Sequence, residues 1–406
     1  MTMPEGKKQN RLSLKATDAL DDLDSYLAGV SDDDDTDSIG SLEVHVRPTI
    51  SLRDLTDVCN KCKSVTFSIT SAITQSHKQC LRALLCNMST LKNCEVSAED
   101  GTTPIHVAAK HGNAEFLELL LSKDSTMAES KDARGATATH VLCYNGHHGC
   151  LSWMLKNGGS AAHKDLDGAT PVHYAAVSGH LECLQELMQT GNGDPNIQTY
   201  SGETPVYYAA QEGHLHCVQW LVEMAKANPT SSSNDGMTPL HAAAQTGQVN
   251  VTHWLVRTAK CSVISKTCDG ATPLHFAAAK GHVAILQWML HHSLVTGDEA
   301  DDFGATPVHD AAEHGQLESL KVFYEHSVNL NSQDCDGLTP RDLAEQGNHT
   351  RCVEFLINPE EMYNKRKHST PLVDVDAKMA ARIKQIDTEK KKKGWNLFKK
   401  KESISK

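Results

Sequence analysis

Aromatic side chains are scarce: Phe, Trp and Tyr make up 5% of the 406 residues. A thick core built on aromatic rings is therefore excluded, and small and aliphatic residues must fill a thin one. No apolar run reaches the ~20 residues that a membrane-spanning helix needs. The start of the chain is polar and acidic, without the basic-then-apolar pattern of a signal peptide. Phosphate-binding loops of the G-x-x-x-x-G-K type, G-x-S-x-G nucleophile turns and H-E-x-x-H zinc helices are all lacking. A non-catalytic protein with no cofactor is expected. Cys59 and Cys62 form a CxxC, but there is no second one, so a zinc site is not expected.

Charge is present but unevenly spread. The formal net charge is −12. Residues 1–60 carry six basic and thirteen acidic side chains, net −7. Residues 360–406 carry fourteen basic and seven acidic, net +7, which leaves −12 on residues 61–359. An acidic middle excludes nucleic acid as its partner. Of the thirteen cysteines, Cys80, Cys150, Cys183, Cys217 and Cys352 recur at one helical position where Phe116 stands in another copy. They read as small buried hydrophobes in a reducing compartment, not as a disulfide frame.

The middle repeats itself. Gly101, Gly135, Gly168, Gly202, Gly236, Gly270, Gly304 and Gly337 each open a copy, at spacings of 34, 33, 34, 34, 34, 34 and 33 residues. A typical copy begins Asp235-Gly236-Met237-Thr238-Pro239-Leu240-His241-Ala242-Ala243-Ala244. The opening glycine suits a turn with positive φ. Threonine then caps a first helix and proline occupies its first turn. A second glycine, such as Gly179, Gly213 or Gly281, ends that helix. Leu181, Leu184 and Leu187 mark a second helix by their spacing. The histidines His106, His140, His173, His241, His275 and His309 are expected to bond locally across the turn. This pattern resembles the ankyrin repeat, which implies an all-α solenoid of stacked helix pairs sharing one core. The expected boundaries are an acidic, mostly disordered region over 1–58, an array over 59–358, and a basic, partly helical tail over 359–406. Within the array, a degenerate capping repeat falls at about 65–94 and eight repeats at 99–357.

The flanks carry their own patterns. Nine aspartates and no basic residue lie between residues 18 and 37, a self-repelling stretch. Leu12, Leu20, Leu23 and Leu27 inside or beside it are spaced either as a nascent helix or as a motif that folds on a partner. In the tail, Lys390, Lys391, Lys392 and Lys393 precede Trp395 and Phe398, and Lys399, Lys400 and Lys401 follow. Lysines beside large apolar rings suit an anionic membrane surface. They equally suit an acidic protein surface such as an actin filament.

In stacked repeats of this kind, the turn tips and the ends of the first helices line one binding face. Here these are Asp100, Lys110, Arg134, Asp167, Glu203, Glu212, Asp235, Asp269, Lys280, Glu313, Asp336 and Glu345, with Tyr144, Met237, Phe303 and Leu338 as apolar members. Nine of the twelve charged residues are acidic, so the expected ligand is a basic, amphipathic segment of a partner protein.

Four stretches carry a closer resemblance: residues 202–214, 235–245, 269–278 and 304–313, of which Tyr207-Tyr208 and the run His309-Asp310-Ala311-Ala312-Glu313 are more distinctive than the generic repeat. On these residues the array resembles that of the espin and forked family of actin-bundle proteins. The resemblance implies an adaptor in the cytoplasm, on the actin cytoskeleton, that holds the tail of a class III myosin. The family's proline-rich stretches are not recognisable here.

Overall fold

A computed structural model describes residues 69–74, 76–87, 100–190 and 193–364. The described residues all fall within one unit of the chain, Ile50–Lys406. Among them there are nineteen α-helices, one 3-10 helix at Ser125–Glu129 and no strand. Cys59, Cys62, the aspartate stretch and the tail residues 390–401 lie outside the described residues.

Helices α1 (Ile69–Thr74) and α2 (Lys78–Asn87) form a pair ahead of the first recognisable repeat. Eight pairs follow: α3 (Pro104–Lys110) with α4 (Ala114–Lys123), α5 (Ala138–Tyr144) with α6 (His148–Lys156), α7 (Pro171–Val177) with α8 (Leu181–Thr190), and α9 (Pro205–Gln211) with α10 (Leu215–Glu223). The later four are α11 (Pro239–Gln245) with α12 (Val249–Arg257), α13 (Pro273–Ala279) with α14 (Val283–His291), α15 (Pro307–Glu313) with α16 (Leu317–Glu325), and α17 (Pro340–Gln346) with α18 (Thr350–Ile357). First helices pack on first helices and second on second, so the repeats form two layers. The alanine pairs Ala243-Ala244 and Ala277-Ala278 are fully buried between neighbouring first helices. Phe116, Leu184, Leu286 and Phe323 fill the space between the layers. Cys80, Cys150, Cys183, Cys217 and Cys352 are buried free thiols in that core, and burial pushes the Cys183 thiol up to about 12.

Each first helix starts the same way. Thr170, in an extended conformation, precedes Pro171, and His173 completes a capping box with it. Repeat 2 has Ala138 where the others have proline, yet Thr137 at φ −104° and ψ 169° matches Thr170 at φ −112° and ψ 168°. The backbone is thus already shaped for proline, and the first amide of a helix has no internal partner to lose. Ala138→Pro is expected to raise stability by ~0.5–1 kcal/mol through the unfolded chain; an unchanged or lower urea midpoint would refute this.

Packed helix continues past the last repeat. Pro359 opens a further helix, α19 (Pro359–Asn364), instead of closing the pattern. Tyr363 donates its hydroxyl to Glu325 Oε1 at 2.6 Å, and its ring lies 5.5 Å from that of Tyr324. Met362 and Tyr363 cover the end of the core. Proline is compatible with a helix's first turn, so the packed helices reach Asn364.

Candidate binding face

The turn tips are joined by a backbone ladder. The amides of Ala133, Leu166, Tyr200, Asn234, Cys268, Asp302 and Cys335 donate to the carbonyls of Asp100, Arg134, Asp167, Ser201, Asp235, Asp269 and Phe303, at 2.8–3.0 Å. Each bond links one repeat to the next, so the expected tip residues Asp100, Arg134, Asp167, Asp235, Asp269 and Phe303 form one file. Within a tip, an aspartate holds the turn: Asp301 Oδ1 accepts from the amides of Phe303 and Ala305 at 2.9 and 2.8 Å. Asp334 does the same for Asp336 and Leu338.

A second and a third set of bonds cross between repeats through side chains. The amide of Thr170 donates to His173 Nδ1 at 3.0 Å. The ring proton must then sit on Nε2, which donates to the Glu203 carbonyl in the next repeat at 3.3 Å. His106, His140, His275 and His309 make the same bridge to Ala136, Ala169, Ala305 and Leu338, and His241 reaches Ser265. The local bond expected of these histidines is therefore half of their role. Running the other way, His147, His214, His282 and His349 donate to the carbonyls of Lys110, Val177, Gln245 and Glu313 in the preceding repeat. Burial drives the bridging imidazoles toward the neutral form: it pulls His140 down to about 3 and His173 and His241 to about 4.

Repeats 4 and 8 depart from this scheme for readable reasons. Tyr207 replaces the histidine of repeat 4, and its hydroxyl points at Met237 Sδ, 3.8 Å away. Asp342 replaces that of repeat 8, where no further turn follows. Its Oδ2 accepts from the Thr339 amide and hydroxyl at 2.8 and 2.7 Å, which is the local half of the bridge alone.

The expected surface residues fall into two files. Asp167, Asp235, Phe303 and Asp336 are exposed on the tips, while Asp100, Arg134, Asp269 and Leu338 are half-buried there. Lys110, Tyr144, Glu212, Lys280, Glu313 and Glu345 stand at the ends of first helices, with Lys280 and Glu345 exposed. Glu345 is ion-paired with Arg341 at 2.8 Å. Glu203 is half-buried and accepts the Thr199 hydroxyl. Met237 corrects the expectation: it is 6% exposed and packs with Tyr207 and Ala242 under the partly buried Tyr208 and Phe276.

Sequence reasoning missed Leu166 and Tyr200, which are 70% and 64% exposed on adjacent tips. It also missed a file of rings after the bridging histidines: His140 meets Tyr174 edge-on at 5.0 Å, His173 meets Tyr208 at 5.7 Å and His241 meets Phe276 at 5.7 Å. Aligning the copies on their histidine exposes that position. Tyr174 also donates to Oδ2 of the buried Asp165 at 2.9 Å.

Stacked helix pairs with tips and helix ends in register define a repeat scaffold for binding protein. The family described as ankyrin repeats (3 copies) matches residues 52–132, 124–199, 189–266, 224–297 and 259–334. These stretches run on from one another through more than half of the chain, which belongs to the ankyrin-repeat family. Members are generally non-catalytic modules of protein–protein interaction. No curated protein matches the chain.

Proposed function

We propose that the chain is a non-catalytic adaptor at the actin cytoskeleton whose tip and helix-end files hold a basic, amphipathic segment of a partner, of the class III myosin tail kind. The observation that carries this reading is the register of those files: hydrogen bonds between successive tips hold carboxylates and exposed rings at repeat spacing. A segment laid along them meets apolar side chains and carboxylates, with the charge weighted toward repeats 7 and 8. The espin-like stretches around Tyr207-Tyr208 and His309–Glu313 supply the actin and myosin side of the reading.

The test uses the full chain with a class III myosin tail segment, followed by fluorescence anisotropy. Reversing Glu212, Glu313 and Glu345 to lysine should weaken binding about a hundredfold, since three misplaced charges at ~1 kcal/mol each sum to ~3 kcal/mol, with little change in melting. Equal affinity would remove the acidic face from the account. The lysine–aromatic tail favours a second reading, a scaffold held at an anionic membrane. Sedimentation with actin filaments against sedimentation with anionic liposomes separates the two.

A further inference from the structure

The acidity of the array is concentrated at one end. Residues 298–346 hold twelve acidic and two basic side chains, net −10, against −12 for all of residues 61–359. The two cations are already engaged: Lys321 with Glu318 at 2.6 Å and Arg341 with Glu345 at 2.8 Å. On the tips of these last repeats Asp298, Asp302 and Asp336 are exposed. Between them stands Phe303, 42% exposed, its carbonyl tied to the Cys335 amide of the following tip. An exposed ring framed by carboxylates asks for a segment with the opposite arrangement.

The same chain has one. Residues 390–401 carry seven lysines around Trp395, Leu397 and Phe398, and residues 365–406 together are net +9. The reach also fits. Tyr363, bonded to Glu325 of repeat 7, fixes where the chain leaves the last helix. Twenty-five residues, the length of 365–389, can bridge at most ~80–90 Å. At ~10 Å per packed helix pair, the last repeats lie well inside that reach. Repeats 7 and 8, next to the exit point, need the least of it.

We infer that the basic segment 390–401 docks in cis on the acidic tips of repeats 7 and 8, around Phe303, Asp302 and Asp336, and so competes with an external basic ligand. This rests on the reading of the acidic face as a site for basic segments. A segment tethered at ~1 mM effective concentration, with a free affinity of ~0.1 mM, would weaken an external ligand about tenfold.

The experiment compares the full chain with a full chain carrying Lys→Gln at positions 390–393 and 399–401, using a labelled synthetic peptide of residues 388–402 as the probe. The neutralised chain is expected to bind the peptide about tenfold more tightly, and the difference should vanish in 0.5 M salt. Carboxyl-to-amine crosslinking of the unmodified chain should join tail lysines to Asp302 or Asp336 within monomers. Equal affinities would overturn the cis docking while leaving the acidic face intact. No binding by either chain would overturn both. Crosslinks found only between two copies, or tail lysines engaged by anionic vesicles with no crosslink to repeats 7 and 8, would also overturn it. An Asp302→Asn/Asp336→Asn variant, altered only on exposed tips, should lose these crosslinks.

Discussion

Acidification from pH 7.5 to pH 5 is expected to cut the stability of the array by several kcal/mol. The cause is the row of bridging histidines. Burial holds His140 near 3 and His173 and His241 near 4, and lowers His106 and His275 as well. In the unfolded chain all five titrate near the ordinary 6.5. Above that pH both states are neutral and the full stability is present. As pH falls through 6.5 toward 4, the unfolded chain takes up protons that the folded chain refuses, so stability is lost. Each histidine held near 4 costs ~2 kcal/mol at pH 5, against the ~5–15 kcal/mol that keeps most domains folded. Asp165 acts in the opposite sense, since burial raises its carboxyl, but it is one group against five. Urea midpoints at pH 7.5, 6 and 5, followed by circular dichroism, check this. A midpoint that does not move would mean that the imidazoles accept a proton in place.

Most of the fold was legible in the sequence because each repeat writes the same local chemistry. Threonine, proline and histidine at fixed offsets announce a helix start, and a glycine announces its end. Even the eighth copy is readable, since Asp342 keeps the local bond that a terminal repeat still needs. What was not legible depends on neighbours. That each histidine reaches the next repeat's carbonyl follows from stacking, which no single copy states. Met237 sits one residue past its glycine, like the half-buried Leu338 in repeat 8, and it packs against the ring of Tyr207 from the previous repeat.

The binding face was legible in its positions and not in its weighting. Nine acidic residues scattered over eight repeats suggest an even negative groove, yet repeats 7 and 8 hold nearly all of the array's net charge. The middle tips instead show Leu166 and Tyr200, with Lys164 Nζ 5.3 Å from the centre of the Tyr200 ring. A ligand following the whole face would meet apolar surface first and charge last. Charge reversal should accordingly cost more at the acidic end than in the middle.

The ladder between tips should be the most sensitive part of the array to a single methyl group, and two glycines isolate the effect. Gly236 and Gly337 have nearly the same left-handed backbone, φ +80° and φ +77°. Either one replaced by alanine meets the same conformational cost of ~1–2 kcal/mol. Their surroundings differ. A Cβ on Gly236 would lie 2.7 Å from the Cys268 amide nitrogen and 2.9 Å from Thr267 Cα, whereas one on Gly337 would have nothing within 4 Å. The obstructing atoms are backbone and cannot rotate away. They also carry the tip bond, since the Cys268 amide donates to the Asp235 carbonyl at 2.9 Å. Gly236→Ala must therefore push the turn of repeat 6 off that of repeat 5. A cost of ~3–4 kcal/mol is expected, against ~1–2 kcal/mol for Gly337→Ala. Because stability in a stack is the sum of units and the interfaces between them, the first variant should also divide the array. Repeats 6–8 are then expected to exchange their amides ahead of repeats 1–5 in urea, while Gly337→Ala keeps one transition. If both variants lose the same stability, the tips do not carry the contact between repeats, and the stack is held by its helices alone.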